Sequence, residues 1–169
     1  MSVEETHQYL TFTLDESLFA ISIEKVREVL ELSHITRIPR MPGFLRGVIN
    51  VRGHAVPVAD MRAKFELPDS DDTVDTCIII VEVMVEGECS TVGALVDAVN
   101  EVAELPESDV EPPPRMGLTV DAAFIRGMAR RHDDFVMILD VDRIFSDEEM
   151  AALVSVGGDA PDDEEEMAV

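Results

Sequence analysis

One part of this chain is written twice. Ile23-Glu24-Lys25-Val26-Arg27-Glu28-Val29-Leu30-Glu31-Leu32 aligns without gaps on Val96-Asp97-Ala98-Val99-Asn100-Glu101-Val102-Ala103-Glu104-Leu105 at an offset of 73, with five of ten positions identical. Phe44-Leu45-Arg46-Gly47 aligns on Phe124-Ile125-Arg126-Gly127, Asp60 on Asp140 and Phe65 on Phe145, all at an offset of 80. A seven-residue insertion near Pro112–Pro114 reconciles the two offsets. Two matched blocks in the same order predict two similar units, each of about five strands and about 65 residues. A sheet that short must curl to cover its apolar face, and each unit alone would be marginal. The expectation is two small β-barrels that share apolar surface.

Within the units the dominant period is two, the signature of half-buried strands. Leu10, Phe12 and Leu14 alternate with threonines, Asp15-Glu16-Ser17 reads as a turn, and Phe19, Ile21 and Ile23 alternate with smaller or polar residues. Val26 to Leu32 fits a helical turn or a strand. Pro39, Pro42 and Gly43 mark a loop, and Gly53-His54 turns the chain between Val48–Val51 and Ala55–Ala59. Pro57 within that last run predicts an edge strand or a bulge. Leu67 to Asp75 reads as a polar linker. Cys77–Val85 and Ser90–Val96 read as a hairpin around Glu86-Gly87. Glu111-Pro112-Pro113-Pro114 reads as a stiff connector. Phe124–Arg130 and Phe135–Val141 form a last hairpin around His132-Asp133-Asp134. Ser146-Asp147-Glu148-Glu149 is a capping box opening a short helix, and Gly157-Gly158 stops it. The expected organisation is a first barrel at 8–68, a second at 74–145, a helix at 146–156 and a disordered acidic tail at 157–169.

Charge excludes whole classes of partner. Thirty-six acids against thirteen bases leave the chain at −23. Such a surface repels nucleic-acid backbones and anionic lipid. It predicts a protein adapted to a salty cytosol, where screening tolerates self-repulsion. No apolar run of 18 residues predicts membrane insertion, and Met1–Glu5 has neither the basic nor the apolar segment of a signal peptide, so the cytoplasm is the expected compartment. Cys77 and Cys89 predict no disulfide.

No catalytic constellation stands out. No serine lies in Gly-x-Ser-x-Gly, and no phosphate loop occurs. His132-Asp133-Asp134 reads as a turn rather than a metal site. No catalytic, metal or cofactor residue is assigned. What remains is Arg37-Ile38-Pro39-Arg40-Met41-Pro42-Gly43-Phe44-Leu45-Arg46-Gly47-Val48-Ile49-Asn50-Val51-Arg52-Gly53. Four arginines separated by apolar residues and prolines, in a strongly acidic chain, suit a protein interface. Glu28 and Arg52 lie beside apolar residues on strand-like segments, so partial burial and mutual pairing are expected.

This block resembles the CheW family of chemotaxis coupling proteins. The resemblance runs from about Gln8 to Leu153. It is carried by Tyr9-Leu10-Thr11-Phe12, Phe19-Ala20-Ile21, Val26-Arg27-Glu28-Val29, Thr36-Arg37-Ile38-Pro39 and Pro42-Gly43-Phe44. Further on it is carried by Arg46-Gly47-Val48-Ile49-Asn50-Val51-Arg52-Gly53, Val56-Pro57-Val58-Ala59-Asp60-Met61-Arg62, Gly93 to Val99 and Ile138-Leu139-Asp140-Val141. The family more often has leucine where Val51 stands. The resemblance implies an all-β fold of two SH3-like five-stranded barrels on a shared core, plus the short C-terminal helix. It implies a non-catalytic adaptor without cofactors, bridging the cytoplasmic tip of a chemoreceptor and the regulatory domain of the histidine kinase CheA. The receptor hairpin would lie in a groove between the barrels, with Val26, Glu28, Gly47, Asn50 and Arg52 at receptor-binding positions. The kinase would contact the first barrel near Ile38, Pro39, Pro42 and Phe44. Localisation would be cytoplasmic, with recruitment to membrane-anchored receptor arrays, and the acidic surface suggests a haloarchaeal member. Alternatives are a CheV-like or kinase-derived module cut from a longer chain, and a small acidic β-barrel enzyme or ligand binder.

Overall fold

The computed structural model describes residues 6–85, 87–113, 122–131, 133–156 and 158–159. The described strands include the alternating segments, except Ile23, which lies in a 3-10 turn (Ile23–Lys25). They are β1 (Thr6–Leu14), β2 (Ser17–Ser22), β3 (Val26–Glu31), β4 (Leu45–Val51), β5 (His54–Asp60), β6 (Cys77–Val85), β7 (Glu88–Val96), β8 (Ala98–Pro106), β9 (Val110–Glu111), β10 (Ile125–Arg131), β11 (Asp134–Leu139) and β12 (Gly158–Asp159). Three helices join them: α1 (Met61–Lys64), α2 (Val141–Ile144) and α3 (Asp147–Val156). One sheet runs β8-β1-β2-β11-β10-β9. The other runs β12-β5-β7-β6-β3, with β4 on β5. The ambiguous Val26–Leu32 segment is a strand through Glu31, antiparallel to β6.

The sequence repeat is a structural repeat. β3 corresponds to β8, β4 to β10 and β5 to β11. Both β4–β5 and β10–β11 carry a register shift at the matched positions, Leu45/Gly47 and Ile125/Gly127. Each hairpin ends in a one-turn helix that periodicity did not predict. Its start is set by the matched aspartates. The Asp60 carboxylate accepts from the N–H groups of Arg62 and Ala63 at 3.0 and 3.3 Å, and Asp140 accepts from Asp142 at 3.1 Å. These are N-caps.

The division into 8–68 and 74–145 is corrected by the strand pairing. β5 pairs in parallel with β7, and β11 pairs in parallel with β2. The hairpin β6–β7 therefore completes the sheet of β3, β4 and β5, while β1–β2 completes the sheet of β8, β10 and β11. One unit is contiguous from β3 to β7 and gains only β12 from the far end, and the other is assembled from both ends of the chain. Periodicity marks a strand and its buried face but not the sheet that adopts it.

Both faces of the central strands are buried, which explains their near-continuous apolar runs. On β6, Ile78 and Ile80 join Ile49, Val56, Val58 and Leu95 in a core private to one unit. Tyr9, Ala20, Leu105, Ala129, Val136 and Ile138 fill the private core of the other. The alternate residues face a larger shared core, where Ile79, Val81 and Val83 meet Leu10, Phe12, Phe19, Met137 and Leu139. Pro57 lies not on an edge but in a strand flanked by β4 and β7. It stands one residue before the β5–β7 ladder begins at Val58.

The capping box forms as read. The Ser146 N–H donates to Glu149 at 2.8 Å, and the Glu149 N–H donates to Ser146 Oγ at 3.1 Å. Glu149 also receives Lys64 Nζ at 2.8 and 3.0 Å. That ammonium lies 5.1–5.7 Å from the rings of Phe44, Phe124 and Phe145, a favourable cation–π setting. Met150 and Leu153 complete the anchorage of α3 in the shared core. The expected tail begins later than 157, because Gly158–Asp159 pairs with Ala55 and His54 of β5. Pro114 of the connector, Glu86 and His132 of the turns, and residues 157 and 160–169 of the tail lie outside the described residues.

Burial would push the Glu149 carboxyl up, but the bonds from Lys64 and Ser146 outweigh it and hold the group below its ordinary value. Asp97 is depressed in the same way: burial opposes, and the Arg62 and Asp15 bonds prevail. A depressed folded-state pKa contributes stability that is present above the unfolded value and lost as pH falls through the folded one. The urea midpoint is therefore expected to hold from neutrality to about pH 5 and then to decline below about pH 4. Lys64→Met removes the largest favourable partner of a desolvated carboxylate, so its midpoint is expected to be lower at neutral pH and its acid decline shallower, because Glu149 then has less stabilisation to lose on protonation. Superimposable acid limbs for the two proteins would contradict this role of Lys64.

Candidate partner-binding site

The β4–β5 hairpin builds the site. Val51 pairs with His54, and Arg52 and Gly53 between them have φ of +53° and +87°. Two left-handed residues make a type I′ turn, which matches the twist of the flanking strands. Asn50 Oδ1 accepts the Gly53 N–H at 2.9 Å and holds the turn. The turn carries Arg52 to β3, where its guanidinium forks onto both carboxylate oxygens of Glu28. Nη1 donates to Oε2, and Nη2 donates to Oε1 at 3.0 Å. Bonding to Arg52, against the cost of burial, holds the Glu28 carboxyl below its ordinary value, and the same bond raises Arg52. The pair expected from the sequence is thus brought together. Glu28 is half-buried, but Arg52 is exposed.

The pair stands on the rim of a groove of about 530 Å³. Val56, Ile80 and Val92 line its floor, Leu153 and Val154 of α3 form a wall, and Arg27 and His54 join the rim. The lining comes from one sheet and α3. This groove lies within one unit, whereas the resemblance places the receptor groove between the two barrels.

The other expected site residues divide sharply. Val26 is half-buried against the shared core. Asn50 is exposed, with its side chain serving the turn. Gly47 is buried, and a Cβ there would lie 2.1 Å from the Thr36 carbonyl oxygen. It allows a close backbone approach and offers no side chain to a partner. Among the expected kinase contacts, Pro39 is exposed and Ile38 and Pro42 are half-buried. Phe44 is not a surface residue: it is buried in the shared core, with its ring 5.5 Å from that of Phe145. The resemblance implied a surface contact there, but the side chain packs into the shared core instead. Of the arginine cluster, Arg46 is held by Asp60 and Asp72 at 3.4 and 2.7 Å. Arg37 and Arg40 are exposed and make no ion pair among the described residues.

Two arrangements escaped sequence reading. Arg62 donates to Asp97 at 2.7–3.1 Å and to the Pro68 carbonyl at 2.6 Å, so it staples one unit's helix to the bend by which the chain passes from β7 to β8 of the other. Arg131 pairs with Glu101 at 3.0 Å. Glu101 is the repeat-mate of Glu28, so the 73-residue offset carried that signal. Among the described residues, no three His, Cys, Asp or Glu side chains converge as a metal site. No helix is long and apolar enough to cross a membrane among them.

The family model described as "CheW-like domain" matches residues 8–149. The chemotaxis protein CheW of Klebsiella aerogenes is 31% identical over 149 residues, covering 88% of this chain and 87% of the relative. That of Treponema pallidum is 27% identical over 157 residues, covering 90% of each. Among solved structures, the scaffolding protein TtCheW from Thermoanaerobacter tengcongensis superposes with a TM-score of 0.76 at 35% identity, over 86% of this chain and 96% of that one.

Proposed function

Since the chain belongs to the CheW family of chemotaxis adaptor proteins, which are not enzymes, we propose that it holds a chemoreceptor tip and the regulatory domain of the histidine kinase CheA in a fixed relation. The receptor hairpin seats along the groove beside α3, with Arg52, Glu28, Asn50 and Val26 at its contact. Gly47 supports that surface from below. The kinase domain docks on the loop of Ile38, Pro39 and Pro42, which the buried Phe44 braces. The forked Arg52–Glu28 pair on the groove rim supports this reading most directly. A guanidinium oriented by its own carboxylate is preorganised for a polar contact and loses little freedom on binding. Two rigid barrels on one core fix the distance between both contacts. A receptor change then reaches the kinase through differential contacts with its active and inactive arrangements. The protein acts in the cytoplasm and is recruited to receptor arrays.

The site is tested by adding a receptor-tip hairpin fragment to the isotope-labelled chain. Amide shifts are expected at Glu28, Asn50, Arg52 and Val154. Shifts confined to β8 and β10 would overturn the placement.

A halophilic origin is part of the same proposal. The −23 charge is screened within about 3 Å at 1 M salt but only within about 10 Å at 0.1 M. The urea midpoint is expected to rise between 0.1 and 2 M KCl, and a flat or falling midpoint would remove salt adaptation.

A further inference from the structure

The groove rim has a cationic outer layer. Arg27 pairs with Glu82 and Arg52 with Glu28, and in both pairs the guanidinium is the outer partner: 57% against 34% exposed, and 72% against 24%. The burial order is reversed in Lys64–Glu149, Arg62–Asp97 and Arg131–Glu101, and the other outward guanidiniums, in Arg46–Asp60 and Arg143–Asp140, do not line the groove. In a chain of charge −23, an outward guanidinium pair beside an apolar groove is a distinct surface.

The chain's own end is led to that surface. β12 is antiparallel to β5, with Gly158 opposite Ala55 and Asp159 opposite His54. β12 thus runs toward the Arg52–Gly53 turn that precedes His54. The ten residues after Asp159 contain Asp162, Asp163, Glu164, Glu165 and Glu166 and no base. At about 3.3–3.6 Å per extended residue, a tail of this length is long enough to bring these carboxylates to the rim. A tether this short gives an effective concentration of order millimolar.

We propose that residues 160–169 dock on this rim, their carboxylates meeting Arg27 and Arg52, as a covalently attached occupant of the groove mouth. The consequence, which rests on the receptor reading of the same groove, is competition: the receptor tip must displace the tail. The attraction between exposed charges falls with salt, so the competition is strongest in dilute buffer and fades at molar salt.

The test compares the isotope-labelled full chain with a variant in which Asp162, Asp163, Glu164, Glu165 and Glu166 are replaced by Asn or Gln. At 50 mM KCl the two are expected to differ in the Arg27 and Arg52 Nε resonances and the Gly53 amide, and the difference is expected to vanish at 2 M. Arg27→Gln in the full chain, which keeps the Arg52–Glu28 fork, is expected to weaken the tail's effect. Identical Arg27, Arg52 and Gly53 resonances at 50 mM would overturn tail docking. Receptor-fragment affinity separates the two readings. A gain of about 3–10-fold on neutralising the tail at low salt supports both. Resonance differences without a gain uphold the docking and overturn the groove as the receptor's seat.

Discussion

Gly47→Ala is expected to lower the melting temperature by about 10 °C, the largest effect of an added methyl group among the described glycines. An added Cβ would lie 2.1 Å from the Thr36 carbonyl oxygen and 2.8 Å from its carbon and from Ile35 Cγ2. The Thr36 backbone cannot easily withdraw, because its N–H and C=O are both bonded to Val48, at 2.9 and 2.8 Å. Gly47 also has φ of +150°, where an L side chain is strained. Overpacking against backbone plus that strain costs about 3–5 kcal/mol. In a domain of this size each kcal/mol moves the melting temperature by about 2–4 °C. Two other glycines calibrate the result. Gly127, the repeat-mate, would place its Cβ 2.6 Å from Val110 Cγ1 and 2.9 Å from the Glu111 oxygen. Part of that clash is a side chain that can move, so Gly127→Ala is expected to cost less. Gly53 has open space around it and only its positive φ to lose, about 1 kcal/mol. Thermal melts of the three variants are expected to rank Gly47 below Gly127 below Gly53. A Gly47→Ala protein melting within about 2 °C of wild type would contradict a backbone role and return Gly47 to the surface as a contact.

Much of the fold was legible because the shared core imposes period two on strands such as β1 that turn every second residue toward it. Leu10, Phe12 and Leu14 reach the shared core, and their alternation reported it directly. The capping box was legible because Ser146 and Glu149 satisfy each other locally. The exchange of hairpins was not. β1–β2 and β6–β7 are both apolar hairpins, and the parallel contacts that assign them to sheets join residues such as Leu18 and Val136, far apart in sequence and without a local signature. The helices α1 and α2 were hidden because one turn has no period, yet the Asp60–Asp140 match had already marked their caps. At the site, Glu28 and Arg52 could be paired because a charge on an apolar strand needs a partner. Phe44 misled because an exposed anchor and a core aromatic look alike in one dimension. Gly47 was flagged by position alone, and its physical reason lies in Thr36, on a segment that no periodicity connects to it.

The bridging itself is the other large effect. An adaptor adds no bond chemistry, so its whole action is to make two binding events depend on one rigid body. Arg52 is 72% exposed on the groove's polar rim, so on the proposed reading truncating it removes a contact to the receptor and little from the fold. Arg52→Ala is thus expected to melt with the wild-type protein while losing receptor capture by about tenfold or more. The most direct measurement immobilises a receptor-tip fragment and follows retention of the CheA regulatory domain at high salt, with no protein added, with the wild-type chain and with Arg52→Ala. The expected result is retention only with the wild-type chain. Retention that ignores the chain, or an Arg52→Ala protein that loses melting temperature and capture together, would contradict a rigid clamp that reads its receptor through Arg52.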